Sequence, residues 1–241
     1  TKDGGFMERL IQVENIVKSF RDKKQQVVAV DHVSLHLDEG EILGIIGESG
    51  SGKSTVLRLL SGIMKTDEGA VMLFDKPLDT NDRSRFRDLQ MIFQDARASF
   101  DKQYTIEQSL NEVRKHLNPN ALENHFLLQE VGLDISFASK YPYEMSGGEC
   151  QRAAIARALA CDPKVLLCDE ITSALDVITQ EKICGLLTHL CHQHHISAIF
   201  VSHDLPLVSN LCDRVMIMKD GKVVEEGKTK DLMRNHQHPY T

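Results

Sequence analysis

Gly47-Glu48-Ser49-Gly50-Ser51-Gly52-Lys53-Ser54 fits the pattern GxxxxGK[ST]. An apolar run at 42–46 precedes it and a helical pattern at 54–60 follows, the strand–loop–helix context that a phosphate-binding loop requires. Closely spaced glycines let consecutive backbone N–H groups curl round phosphate oxygens, and the next helix turns its positive N-terminal end to the same anion. Lys53 supplies a mobile cation. Ser54 offers a hydroxyl to a magnesium ion (Mg2+) that also touches the phosphates, and Thr55 extends the polar helix start. The stretch implies binding of a nucleoside triphosphate and an α/β fold around a P-loop core.

Two further groups carry chemistry. Residues 165–170, Val-Leu-Leu-Cys-Asp-Glu, read as a buried parallel strand with two carboxylates at its C-terminal end, where open α/β sheets bind ligands. Asp169 is expected to hold magnesium, and Glu170, facing the other way, to polarise a water for attack on the γ-phosphate. Alone, two acidic residues ending a strand prove little; beside a phosphate loop they gain meaning. Ser146-Gly147-Gly148-Glu149 then opens an Ala-rich helix at 153–160 and forms a second anion-binding helix start. Two such loops with one carboxylate pair suggest that the second closes on nucleotide held by a partner subunit.

Composition sets bounds. The 241 residues are 41% hydrophobic and 26% charged, enough for one large α/β domain with an inserted subdomain. A formal net charge of −7 argues against general nucleic-acid binding, which needs a basic face. No apolar run reaches the roughly 20 residues that span a bilayer, and no signal peptide is evident, so a cytoplasmic protein is expected. Residues 1–6, before Met7, read as a remnant outside the domain. Six cysteines without a CxxC pair read as buried thiols. The tract 189–195, with four histidines and a cysteine, sits at a helix end, where histidine suits the negative dipole.

Periodicity predicts strands at 11–17, 27–30 and 33–37 as an antiparallel N-terminal layer, then strands at 71–74 and 89–93. Residues 105–160 are mostly helical and form the insertion. The α/β alternation resumes with strand 165–168, helix 177–192, strand 196–201, a short helix at 205–211 and strand 215–218. Asp220-Gly221 predicts a hairpin into 222–226, and 230–235 a short helix.

In this order the residues resemble the ATP-binding-cassette (ABC) ATPases, over nearly the whole chain. Phe20 resembles the aromatic that stacks on adenine, and residues 47–55 (Gly47, Glu48, Ser49, Gly50, Ser51, Gly52, Lys53, Ser54, Thr55) the phosphate loop. Gln94 resembles the glutamine that couples magnesium to the helical subdomain. Ser146, Gly147 and Gly148 match the family signature, Asp169 and Glu170 the magnesium aspartate and catalytic glutamate, Ser173-Ala174-Leu175-Asp176 the dimer-contact loop, and His203 the switch histidine. The resemblance implies ATP and magnesium as ligands. It also implies one nucleotide-binding domain over 7–241, with a mixed sheet, an N-terminal antiparallel β subdomain and an α-helical subdomain at 95–162. Glu149 and Cys150 depart from the commonest signature; Ala96 and Ile171 replace common prolines, the latter leaving the loop after Glu170 less rigid.

Residues 94–100 and the ending His238-Pro239-Tyr240-Thr241 resemble the ATPases of oligopeptide, dipeptide and nickel or metal-chelate importers. That implies a second ATPase subunit, identical or different, transmembrane permease subunits and an extracytoplasmic substrate-binding protein, with the chain at the cytoplasmic face of the membrane. The alternatives are a lipoprotein-release or export ATPase and an accessory ATPase of a carbon–phosphorus lyase complex. A DNA-repair ATPase would need a long coiled coil between phosphate loop and signature, and only about ninety residues separate them. A purely scaffolding ATPase would be expected to lose Glu170 or His203, and both are present.

Overall fold

The computed structural model describes residues 8–22 and 25–241; the remnant expected at 1–6 lies outside them. The chain separates into two compact units, one made of the residues through Asn81 together with His195–Thr241, the other of Asp82–His194.

The first unit holds two sheets. Strands β1 (Arg9–Asp22) and β2 (Gln25–Asp38) pair antiparallel, and β1 also pairs with β4 (Glu68–Leu73). Alternation along these strands buries Ile11, Val13, Val33, Leu35 and Leu37 on one face. Sequence periodicity breaks this layer into shorter pieces because the ladder shifts register, and Asn15 (φ 48°) and His32 (φ 53°) take left-handed backbone there. Bulges of this kind interrupt the alternation without ending the pairing. Phe74 and Asp75, both left-handed, turn β4 into β5 (Lys76–Pro77).

In the second sheet of this unit, β3 (Ile42–Ile46) lies between β8 (Ser197–Ser202) and β9 (Arg214–Lys219), parallel to both. All five residues of β3 are buried, as expected of a parallel strand covered on both faces. The expected Asp220-Gly221 turn is present, with φ of 49° and 79°, and returns the chain antiparallel along β10 (Lys222–Lys228). The sheet is therefore mixed. Helices α1 (Lys53–Leu60), α7 (Leu205–Leu211) and α8 (Thr229–Arg234) belong to the same unit.

The second unit pairs β6 (Leu89–Ile92) parallel with β7 (Val165–Asp169). Around this pair run α2 (Arg85–Asp88), α3 (Ile106–His116), α4 (Asn124–Glu130), α5 (Gly147–Leu159) and α6 (Val177–His194). Thr105 starts α3 with a capping box closed by Gln108. Arg157 of α5 donates to Ser99 O (2.7 Å) and Ser99 Oγ (3.0 Å) and lies 4.2 Å from the centre of the Phe100 ring, which fixes the segment after β6 onto α5. All six cysteines are buried; burial pushes the Cys161 and Cys191 thiols up to about 12. Among the described residues, no helix is long and apolar enough to cross a membrane.

Candidate nucleotide site

In the first unit the phosphate loop leaves the C-terminal end of β3 and enters α1. Gly50 (φ 85°) and Gly52 (φ 103°) stand in the left-handed region, which turns the chain tightly at little steric cost. Gly52 has a second reason to be glycine: a Cβ there would meet Ala29 O of β2 at 2.2 Å. At Gly47 a Cβ would meet Met218 O at 2.2 Å and Ser51 Oγ at 2.6 Å. The loop is thus seated against backbone on two sides, and its path depends on glycines at these points.

Lys53 is 3% exposed, and its Nζ donates to Gly47 O (2.7 Å) and Glu48 O (2.8 Å), so the loop wraps its own cation. The Ser51 hydroxyl is buried without a hydrogen-bond partner among the described residues. An unpaired buried hydroxyl is costly unless something else completes it. Helix α1 carries no acidic residue in its first turn and no side-chain cap on Gly52, so its N-terminal end keeps its positive character. An orphaned donor, a buried ammonium and an uncapped helix start fit a phosphate group.

Also in this unit, Phe20 is on β1 opposite Val27 and 39% exposed, consistent with a ring available for stacking. His203 is exposed and directly follows β8, just before Asp204 caps α7 by accepting from Leu207 N at 3.0 Å.

The second unit gathers the remaining expected residues. Ile92 pairs with Cys168, so Gln94 and the Asp169-Glu170 pair leave the same end of β6 and β7. Asp169 is buried, 5% exposed, and Glu170 has φ 45°, a left-handed conformation that surrounding contacts must hold. Those contacts are visible. Ser173 N donates to Glu170 O (3.1 Å), Leu175 N to Thr172 O (3.0 Å), and Gln180 Nε2 to both Thr172 O (2.9 Å) and Leu175 O (3.0 Å). Ile171, in place of a proline, is 2% exposed and anchors the same turn by burial. Gln94 Nε2 donates to Ser173 Oγ at 2.9 Å.

Ser146 is the N-cap of α5. Its Oγ accepts from Glu149 N (3.3 Å) while Glu149 Oε2 accepts from Ser146 N (2.8 Å), and that backbone donor holds the Glu149 carboxyl below the usual carboxylate range. The glutamate of this signature thus serves the helix start as a glutamine would. A Cβ on Gly147 would come within 3.2 Å of Leu175 Cδ2, and one on Gly148 within 2.8 Å of Thr179 Cγ2. Asp176 accepts from Thr179 N (3.0 Å) and Oγ1 (2.7 Å), so the start of α5 packs against a turn that is itself held by hydrogen bonds.

Three contributors escape a reading of residues one at a time. Arg97 Nη2 donates to Met145 O (2.6 Å), Gln180 clamps the turn after Glu170, and Tyr240 accepts from Glu48 N (3.1 Å). Glu149, by contrast, has a local signal, the S-x-x-E spacing of a capping box.

Residues 30–173 match the model of the ABC transporter family. The oligopeptide transport ATP-binding protein OppF of Salmonella typhimurium is 41% identical over 223 residues, covering 88% of this chain and 67% of that protein. The methionine import ATP-binding protein MetN 1 of Oceanobacillus iheyensis is 39% identical, covering 96% and 70%. Among solved structures, the dimeric MJ0796, a bacterial ABC transporter cassette, superposes with a TM-score of 0.81 at 31% identity, covering 91% of this chain and 98% of that one. The same cassette in a post-hydrolysis state bound to ADP and Pi gives 0.79 at 32%. Phosphate loop, signature helix and strand-end carboxylates all stand on the elements expected of them, and the chain belongs to the ABC transporter family as an ATP-binding, ATP-hydrolysing subunit.

Proposed function

We propose that the chain powers the import of peptides, with nickel or other metal chelates as the neighbouring substrate class. The observation that carries the ATPase half is the phosphate loop at the end of β3, with Lys53 buried inside it. The importer half is supported by 41% identity to an oligopeptide transport ATP-binding protein. A second reading, import of an amino acid, is favoured by the 39% identity to a methionine import protein.

Each residue then has a role in phosphoryl transfer, where positioning and charge neutralisation supply most of the rate. Phe20 stacks on adenine. The loop from Gly47 to Thr55 receives the phosphates, with Lys53 as cation. Ser54, Asp169 and Gln94 are the residues that would hold magnesium, whose charge would offset that of the phosphates. Glu170 takes the proton of the attacking water, and His203 orients toward the γ-phosphate. Ser146, Gly147 and Gly148 serve nucleotide bound by a second ATPase subunit. Hydrolysis then removes a contact shared by two subunits and opens them. We assign residues 95–162 as the helical subdomain of a single domain over 7–241. It docks permease subunits at the cytoplasmic face of the membrane, with a substrate-binding protein delivering cargo outside.

The test is to reconstitute the chain with the permease subunits that copurify with it and follow ATP-dependent uptake of labelled di- to pentapeptides, free methionine and nickel chelates. Peptide uptake lost in the Lys53→Ala variant supports the reading. Methionine uptake alone selects the second reading, and no uptake of any of them contradicts import.

A further inference from the structure

The segment His238-Pro239-Tyr240-Thr241 stands out in the sequence, yet none of the roles above uses it. In the structure it is anchored in the first unit. Glu225 of β10 accepts from Gln237 N (2.7 Å), His238 N (3.3 Å) and the Thr241 hydroxyl, and these bonds, that of Thr241 foremost, hold its carboxyl below the usual carboxylate range. Tyr240 N donates to His238 Nδ1 (3.2 Å), which closes the segment on itself. The half-buried Tyr240 ring lies 4.8 Å from Lys219 Nζ, at the end of β9. The preceding residue, Met218, places its carbonyl against Gly47. One strand end therefore backs both the start of the phosphate loop and the tyrosine.

The tyrosine reaches the loop itself. Glu48 N donates to its hydroxyl oxygen at 3.1 Å. The carbonyl of the same residue receives Lys53 Nζ at 2.8 Å and Ser51 N at 3.2 Å. Glu48 is exposed, so without this bond its N–H would face water and only the bonds to its carbonyl would hold the residue.

We propose that Tyr240 is a positioning residue for ATP binding. Its hydroxyl fixes Glu48, and through the Glu48 carbonyl it fixes the arc of loop in which Lys53 and Ser51 sit. The bond limits the conformations of the free loop, and a ligand that selects one of several conformers binds more weakly by the fraction absent. The inference rests on the assignment of the phosphates to the 47–55 loop. It adds that the segment after α8 belongs to the nucleotide site by way of the loop's backbone.

The experiment compares the purified full chain with Tyr240→Phe, Tyr240→Ala and Lys53→Ala. The readouts are equilibrium binding of ATP with magnesium, amide hydrogen exchange across 47–53, and melting temperature. Tyr240→Phe keeps the ring over Lys219 and removes only the hydroxyl. The expected result is ATP binding weakened about 3- to 10-fold, the usual scale for one hydrogen bond, with faster exchange at Glu48 and an unchanged melting temperature. Tyr240→Phe binding and exchanging like wild type overturns the proposal, even where Tyr240→Ala is impaired, since the ring alone then matters. Tighter binding in Tyr240→Phe overturns it too, by making the segment a competitor. If Lys53→Ala binds ATP as wild type does, the loop assignment itself fails and the brace with it.

Discussion

The Gln94 side-chain amide donates to Ser173 Oγ across 2.9 Å, tying the residue two places beyond β6 to the turn beyond β7. Ser173 in turn donates its N–H to the carbonyl of Glu170. A residue expected to couple to magnesium is therefore two hydrogen bonds from the proposed base, through a residue of the turn after β7. Arg97 adds a second tie from the same segment, to Met145 O beside the signature.

Ser173→Ala removes the acceptor for Gln94 and leaves the backbone bond to Glu170 intact. Steady-state ATPase activity is expected to fall about 2- to 10-fold, the worth of one net hydrogen bond, with little change in melting temperature. A rate equal to wild type would remove this contact from the mechanism.

The glycines that open α5 answer to packing. Gly148→Ala puts a Cβ about 2.8 Å from Thr179 Cγ2, and overpacking of this sort costs about 1–3 kcal/mol. Adding Thr179→Ser deletes that methyl and keeps the hydroxyl that binds Asp176, so the double variant is expected to recover most of the lost melting temperature. Failure of the second change to restore stability would show that the glycine is required for another reason.

Acid sensitivity follows from the caps. The Glu149 carboxyl is held low by Ser146 N–H, and the Asp176 carboxyl by the Thr179 hydroxyl and N–H. A group with a lowered folded pKa stabilises the fold above its unfolded pKa, and that contribution is lost as pH falls through the folded value. Melting temperature should therefore decline from the ordinary carboxylate range downward. Glu149→Gln keeps an acceptor for Ser146 N–H but gains no proton there, so its decline is expected to be shallower. Identical slopes for the two proteins would contradict the capping role.

Local chemistry made the centre of this protein legible and long-range contacts hid the rest. Residues 47–54 are contiguous, so spacing alone identifies them, and residues 165–170 show a buried strand ending in two carboxylates. The long strands β1 and β2 were legible only in pieces, because bulges at Asn15 and His32 interrupt the alternation on which strand reading depends. The Gln94–Ser173 bond joins residues 79 apart, and the Glu48–Tyr240 bond residues 192 apart. No pattern in a single sequence brings such pairs together; the fold does.

The central claim is that Glu170, left-handed at the end of a buried strand, is the base for ATP hydrolysis. The most direct test measures ATP affinity and turnover of Glu170→Gln beside wild type. The account predicts near-normal ATP binding with turnover lowered about 100- to 10,000-fold, the usual worth of a positioned base. Turnover within a few-fold of wild type would contradict it.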